Sequence, residues 1–210
     1  SAVGMDKEVA KRLARAAALP IVPYVLARRG TWEAELPALT ARVAQDLGYP
    51  CFVKPACCGS SVGVHKVKTA AALRPALADA FRYDRKVLVE KAIDAREIEV
   101  AVLQSPDPSG APLCSVPGEI NPRHEFYSYE AKYLDENGAE LIIPARLSDA
   151  QTAAAQRLAA AAFTALECEG MARVDFFLDR GTGELLFNEV NTIPGFTSIS
   201  MYPKMWEASG

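Results

Sequence analysis

Two runs late in the chain, Arg173-Val174-Asp175-Phe176-Phe177 and Leu186-Phe187-Asn188-Glu189-Val190-Asn191, interleave apolar and polar residues in strand-length segments. A period of two is that of a strand. The residues between the runs, Leu178-Asp179-Arg180-Gly181-Thr182-Gly183-Glu184, are turn-forming, so the pattern predicts two strands joined by a tight reversal. Arg173 and Asp175 then share one face, and Glu189 and Asn191 share one face of the partner strand. If those faces coincide, carboxylate and amide oxygens gather beside one arginine. A solvated face of an antiparallel pair would also fit. Against that, Val174, Phe176, Leu186 and Phe187 imply burial nearby, and buried carboxylates need a cation or donors.

Helical spacing of apolar residues follows Asp6 (Val9, Leu13, Ala16, Ala17) and stops at Leu19-Pro20. A short strand is expected at 21–26 and a second helix at 33–47, ended by Gly48 as a C-cap. Strands follow at 51–55 and 87–91, with a helix opened by Thr69 between them. A more regularly alternating strand spans 96–103, on which Glu99 reads as a solvent-facing edge residue. Residues 115–120 read as a strand, and Ser148-Asp149-Ala150-Gln151 is a capping box that opens an alanine-rich helix to Leu166.

Composition narrows the class. With 210 residues, half of them hydrophobic, the chain can bury a core in one or two domains. A net charge of −3 gives no electrostatic footprint for nucleic acid. No apolar run approaches a membrane span, and Ser1–Lys7 lacks the order of a signal peptide. The five cysteines, at 51, 57, 58, 114 and 168, include no C-x-x-C pair and read as reduced thiols of a cytoplasmic protein.

Three stretches carry candidate chemistry. Asp175, Glu189 and Asn191 offer the hard oxygen ligands that suit Mg²⁺, which keeps several waters and completes its shell with substrate phosphates. Phe52-Val53-Lys54-Pro55 followed by Gly59-Ser60-Ser61-Val62-Gly63 is a strand ending in lysine before a Gly/Ser loop, able to present N–H groups and hydroxyls to phosphates. It is not a Walker loop, and a plain hairpin loop is the alternative. The polar-aromatic stretch Asn121–Leu134 is long for a structureless connection in a compact domain and rich in aromatic residues, which points to function.

Asp175, the Glu189-x-Asn191 pair and Pro194-Gly195-Phe196-Thr197-Ser198 resemble the metal-binding segment of ATP-grasp ligases, most closely the D-alanine–D-alanine ligase family. Phe52-Val53-Lys54-Pro55 with the Gly-Ser-Ser-x-Gly loop, and Tyr127-x-Tyr129-Glu130-Ala131-Lys132-Tyr133, resemble two further segments of that family. Cys57-Cys58 stand where the family commonly has polar or charged residues.

The resemblance implies an α+β fold of the ATP-grasp type: a small lobe, 1–91, and a larger lobe, 92–210, with mostly antiparallel sheets gripping ATP between them. It implies ATP and Mg²⁺ (or Mn²⁺), two ions per site, held by Asp175, Glu189 and Asn191. Lys7, Lys54, Ser61 and Lys132 would reach the nucleotide phosphates, Glu90, Lys91 and Ile93 would line the adenine site, and Glu97 would take the ribose. Arg173 and the Gly195 N–H would stabilise an oxyanion. Ser60 and Tyr133 would bond to each other over the substrate, and Ser200 and Met201 would hold the second substrate's carboxylate.

The implied activity joins two D-alanines through a D-alanyl phosphate, for peptidoglycan precursor synthesis, in a homodimeric cytoplasmic enzyme without nucleic acid or membrane partners. The tyrosine form of the 127–133 segment favours an amine as second nucleophile. The alternatives are another carboxylate–amine ligase of the same fold and a nucleotide-binding module. The resemblance begins where the family's second domain begins. It therefore implies that an N-terminal domain, which carries a glutamate that positions the first D-alanine, and a further C-terminal helix lie outside this sequence.

Overall fold

The computed structural model describes residues 2–122 and 139–210. Among the described residues two antiparallel sheets carry the fold. The smaller has the order β1 (Tyr24–Arg28), β4 (Lys86–Lys91), β2 (Cys51–Pro55), β3 (His65–Val67). The larger runs β10 (Leu185–Asn191), β9 (Met171–Asp179), β5 (Ala95–Leu103), β7 (Gly118–Pro122), β8 (Ala139–Ile142), with the short β6 (Leu113–Cys114) also on β5. The strand at 118–122 begins later than the sequence pattern suggests, and β8 was not anticipated at all. Its four residues Ala-Glu-Leu-Ile are too few to show a period.

Each sheet has one apolar face under helices. Val25, Val53, Val67 and Val89 of the smaller sheet pack with Trp32 and Leu39 of α3 (Trp32–Arg42) and with Leu73, Leu77 and Phe81 of α4 (Leu73–Tyr83). The larger sheet buries Ile98, Val100, Val102, Val174, Phe176 and Phe187 under Ala155, Ala159, Ala162 and Phe163 of α5 (Asp149–Ala165). That helix opens with the expected capping box: Ser148 Oγ accepts from the Gln151 N–H, and the Gln151 side chain accepts from the Ser148 N–H. A third cluster, Met201, Tyr202 and Met205 of α6 (Met201–Glu207), covers Ala101 on the opposite face.

The first helices cross between these layers. After the one-turn α1 (Ala2–Met5), Asp6 caps α2 (Lys7–Ala16), its carboxylate accepting from the N–H groups of Glu8 and Val9. Ala10 and Ala14 of α2 lie in the larger sheet's core. The chain then pairs with β10, the Phe187 N–H donating to the Pro20 carbonyl at 2.8 Å, before entering the smaller sheet at β1. The opposite edge of α2 is charged and meets the smaller sheet, where Lys86 of β4 pairs with Asp6 and with Glu8.

Candidate active site

Register decides which side chains meet. In an antiparallel pair, residues directly opposite lie on one face with their Cβ atoms about 5 Å apart. Glu189 of β10 stands opposite Asp175, Asn191 opposite Arg173, and Glu99 of β5 opposite Asp175 from the other side. A register shift between Phe187 and Glu189 marks a bulge, which re-aims this end of β10. The apolar neighbours Val174 and Phe176 point the other way, into the helix-covered core. The sheet face away from α5 is therefore lined by carboxylates around one arginine.

Arg173 is locked. Its Nε and Nη2 donate to the two oxygens of Asp175 at 2.8 and 2.7 Å, and Nε lies 3.1 Å from a Glu99 oxygen. Burial alone would lower its affinity for a proton, but Asp175 and Glu99 outweigh burial and raise its pKa further, so it is a permanent cation. Glu99 corrects the sequence-based expectation of a solvent-facing edge residue. It is 4% exposed, because β5 lies inside the sheet with β9 on one side and β7 on the other.

The smaller sheet supplies the other wall. Phe52, Tyr24 and Glu90 share one face by register, with Lys54 two residues on. Lys54 Nζ donates to Glu90 Oε2 at 2.6 Å and sits 5.7 Å from the centre of the Phe177 ring across the cleft. Burial works to lower the Lys54 pKa, yet Glu90 more than compensates and holds it above the usual lysine value. Burial likewise works to raise the Glu90 pKa, but Lys11 and Lys54 keep its carboxyl below the ordinary range. Lys7, in the first turn of α2, spans both walls: its Nζ donates to the Cys58 carbonyl at 2.7 Å and pairs with Glu189 at 3.2 Å.

The Gly/Ser loop rises over this wall in left-handed backbone, with φ of 52° at Ser60, 59° at Ser61 and 67° at Gly63. Non-glycine residues are uncommon there, and such strain persists where the surroundings hold it. It is anchored from below by Asp84, whose carboxylate accepts from the Cys57 N–H at 2.6 Å. Burial first, then the Asp84 hydrogen bond, push the Cys57 thiol up to about 11, which leaves it protonated and unreactive near neutral pH.

A cleft of about 630 Å³ joins these pieces. Of the residues singled out in the sequence, Lys7, Lys54, Ser60, Ser61, Glu90, Lys91, Ile93, Glu97, Arg173, Asp175 and Glu189 line it. Asn191 is close by register but does not line it, and its amide oxygen accepts from the Ile193 N–H at 3.1 Å. Gly195, Ser200 and Met201 also lie off the cleft lining. Ser200 Oγ accepts from the Thr197 N–H at 3.0 Å, and Met201 starts α6 in the third core cluster. Lys132 and Tyr133 lie outside the described residues.

Among the described residues no three His, Cys, Asp or Glu side chains converge as a cage for a metal ion. Two carboxylates and one amide are the donor set on offer. That is the kind of partial, all-oxygen shell in which Mg²⁺ keeps waters and takes phosphate oxygens. Sequence reasoning missed Glu99 and Lys11, whose roles depend on sheet order and helix packing.

Comparison with known proteins places this geometry. Residues 13–210 match the family model described as D-ala D-ala ligase C-terminus. The D-alanine–D-alanine ligase A of Bradyrhizobium diazoefficiens is 58% identical over the whole chain, which covers 56% of that relative. The corresponding ligase of Heliobacterium modesticaldum is 51% identical, again with 100% of this chain and 56% of the relative covered. The chain thus spans little more than half the length of these curated relatives. Among solved structures, the VanG D-Ala:D-Ser ligase of Enterococcus faecalis superposes with a TM-score of 0.86 at 35% identity, covering 100% of this chain and 58% of that one. The Coxiella burnetii D-alanine-D-alanine ligase superposes with a TM-score of 0.76 at 38% identity, covering 99% and 53%.

Proposed function

The chain belongs to the D-alanine–D-alanine ligase family and has its ATP-grasp fold, and from that premise we propose that the full-length protein uses ATP to join two D-alanines into D-alanyl-D-alanine. The observation that carries the proposal is the cleft in which cations of the smaller sheet and of α2 face the Arg173, Asp175 and Glu189 cluster of the larger one.

Lys54 and Lys7 present fixed positive charge to the nucleotide phosphates, and the N–H groups of the Ser60–Gly63 loop cover them. Glu97 and the Lys91–Ile93 edge hold the nucleoside end. Asp175, Glu189 and Asn191 would hold Mg²⁺ or Mn²⁺, two ions per site, which when bound supply charge neutralisation at the phosphates. The carboxylate of the first D-alanine attacks the γ-phosphate, giving an acyl phosphate and ADP. The amine of the second D-alanine then attacks the acyl carbon and phosphate leaves. Negative charge grows on the carbonyl oxygen in that step, and Arg173 with the Gly195 N–H stabilises it. Arg173 suits the task because Asp175 and Glu99 fix it before the reaction begins, so little reorganisation is needed. Ser200 and Met201 hold the second substrate's carboxylate, and Ser60 works with Tyr133 over the site.

We assign residues 1–91 and 92–210 to the two lobes, apart from the interleaved α2. The enzyme is assigned to the cytoplasm as a homodimer, with peptidoglycan precursor synthesis as its role. Likeness to a D-Ala:D-Ser ligase favours one second reading, in which D-serine replaces the second D-alanine. Phosphate release from Mg-ATP by the full-length protein, with D-alanine alone and with D-alanine plus D-serine, tests both. No amino-acid-dependent phosphate would sink the ligase proposal.

A further inference from the structure

Lys11 is the largest fully buried side chain in the molecule among the described residues, 0% exposed, and does not line the cleft. Its ammonium lies 3.2 Å from Glu90 Oε1 and donates to the Phe187 carbonyl at 3.4 Å. Glu90 is itself 1% exposed and gives its other oxygen to Lys54 at 2.6 Å. One carboxylate thus stands between two lysines, one in the wall and one at the cleft. With both lysines protonated the triad carries a net charge of +1; burial lowers the Lys11 pKa, and the adjacent Glu90 carboxylate opposes that shift.

An apolar residue would fill the Lys11 position at far lower desolvation cost, so the buried charge calls for an electrostatic reason. Without Lys11, the whole charge of Glu90 would fall on Lys54 and tie its ammonium into a closed ion pair. With Lys11 present, the Glu90 charge is shared from behind, and positive charge on Lys54 remains available to an anion in the cleft. Lys11 also touches both sheets. Phe187 opens the bulge that re-aims Glu189, and Lys7, one turn earlier on the same face of α2, pairs with Glu189 directly.

We propose that Lys11 is a positioning residue. It shares the Glu90 charge from inside the wall, so that Lys54, while still donating to Glu90 at 2.6 Å, keeps positive charge available to the nucleotide phosphates. The proposal rests on the nucleotide-binding part of the function above and adds a residue that never touches the ligand.

Calorimetric titration of the full-length protein with Mg-ATP tests it, on wild type, Lys11→Met, Glu90→Gln and the double variant, with kcat and KM for ATP measured alongside. Lys11→Met should weaken Mg-ATP binding by about 10- to 100-fold, the scale of one charge-assisted contact. KM should rise more than kcat falls. Adding Glu90→Gln to Lys11→Met should restore much of the affinity, because the charge that captured Lys54 is gone. A merely structural lysine would show no such rescue. Lys11→Met binding within twofold of wild type, or a double variant no tighter than Lys11→Met, overturns the proposal. If Lys11→Met fails to fold, the double variant, whose buried charge is cancelled, is compared with Glu90→Gln alone: equal affinity supports the proposal and a further loss overturns it. Wild type that does not bind Mg-ATP would instead overturn the functional reading beneath it.

Discussion

Gly63 offers the sharpest test of how the Gly/Ser loop is held. A methyl group at this position would lie 2.6 Å from Tyr83 Cδ2, 3.0 Å from Tyr83 Cε2 and 3.0 Å from Pro55 Cγ, and the backbone φ is +67°. Two separate costs follow from Gly63→Ala. The left-handed conformation costs an alanine about 1–2 kcal/mol. The clash adds less than a core clash would, because the Tyr83 ring is 47% exposed and can swing outward; a displaced rotamer costs about 1 kcal/mol. The sum is about 2–3 kcal/mol, or a fall in Tm of roughly 5–10 °C for a chain of this size. Urea and thermal unfolding of Gly63→Ala, Tyr83→Ala and the double variant separate the parts. The cycle should show a coupling of about 1 kcal/mol, the steric share, while the backbone share persists in the double variant. Affinity for Mg-ATP should fall with the displaced loop. A Gly63→Ala protein within about 0.5 kcal/mol of wild type and with unchanged affinity would refute both the anchoring of this loop and its place over the phosphates.

Two further outcomes are expected. Arg173→Lys keeps the charge but loses the two-pronged grip on Asp175, and should lower turnover by roughly 100- to 1,000-fold with a smaller effect on ATP affinity; wild-type turnover would remove Arg173 from the oxyanion role. Glu119, gripped by Arg96 at 2.7 and 2.6 Å, is held by that arginine below its ordinary value of 4.5. Its contribution is therefore complete above that value and is lost as the pH falls through its lower folded pKa. Glu119→Gln should cost about 1.5 kcal/mol at pH 7 by urea unfolding, with the gap to wild type closing in acid; a gap constant with pH would contradict this.

Much of the site was legible because period-two alternation fixes which residues share a face. Arg173, Asp175, Glu189 and Asn191 were expected together on that ground, and the register brings them opposite one another. Lys54 near the end of β2 and the loop after it were visible as a strand running into a glycine-rich turn. Two things were not legible. Glu99 alternates like an edge residue, and only the order β9-β5-β7 makes it central and buried. Lys11 looks like the solvent face of an amphipathic helix, since its partners Glu90 and Phe187 lie 79 and 176 positions away and no local pattern brings them near. The packing of α2 was not legible either: nothing local shows that Ala10 and Ala14 enter the larger sheet's core.

The most direct measurement is to supply the full-length protein with Mg-ATP, a mixture of D-amino acids including D-serine, D-lactate and L-alanine, and to weigh the products. We expect D-alanyl-D-alanine as the main product, with ADP and phosphate in equal amounts. D-alanyl-D-serine or a depsipeptide as the main product would keep the nucleotide site and contradict the assignment of the second substrate. No ATP-dependent product would contradict the central claim, and with it the catalytic roles of Arg173, Gly195 and Ser60.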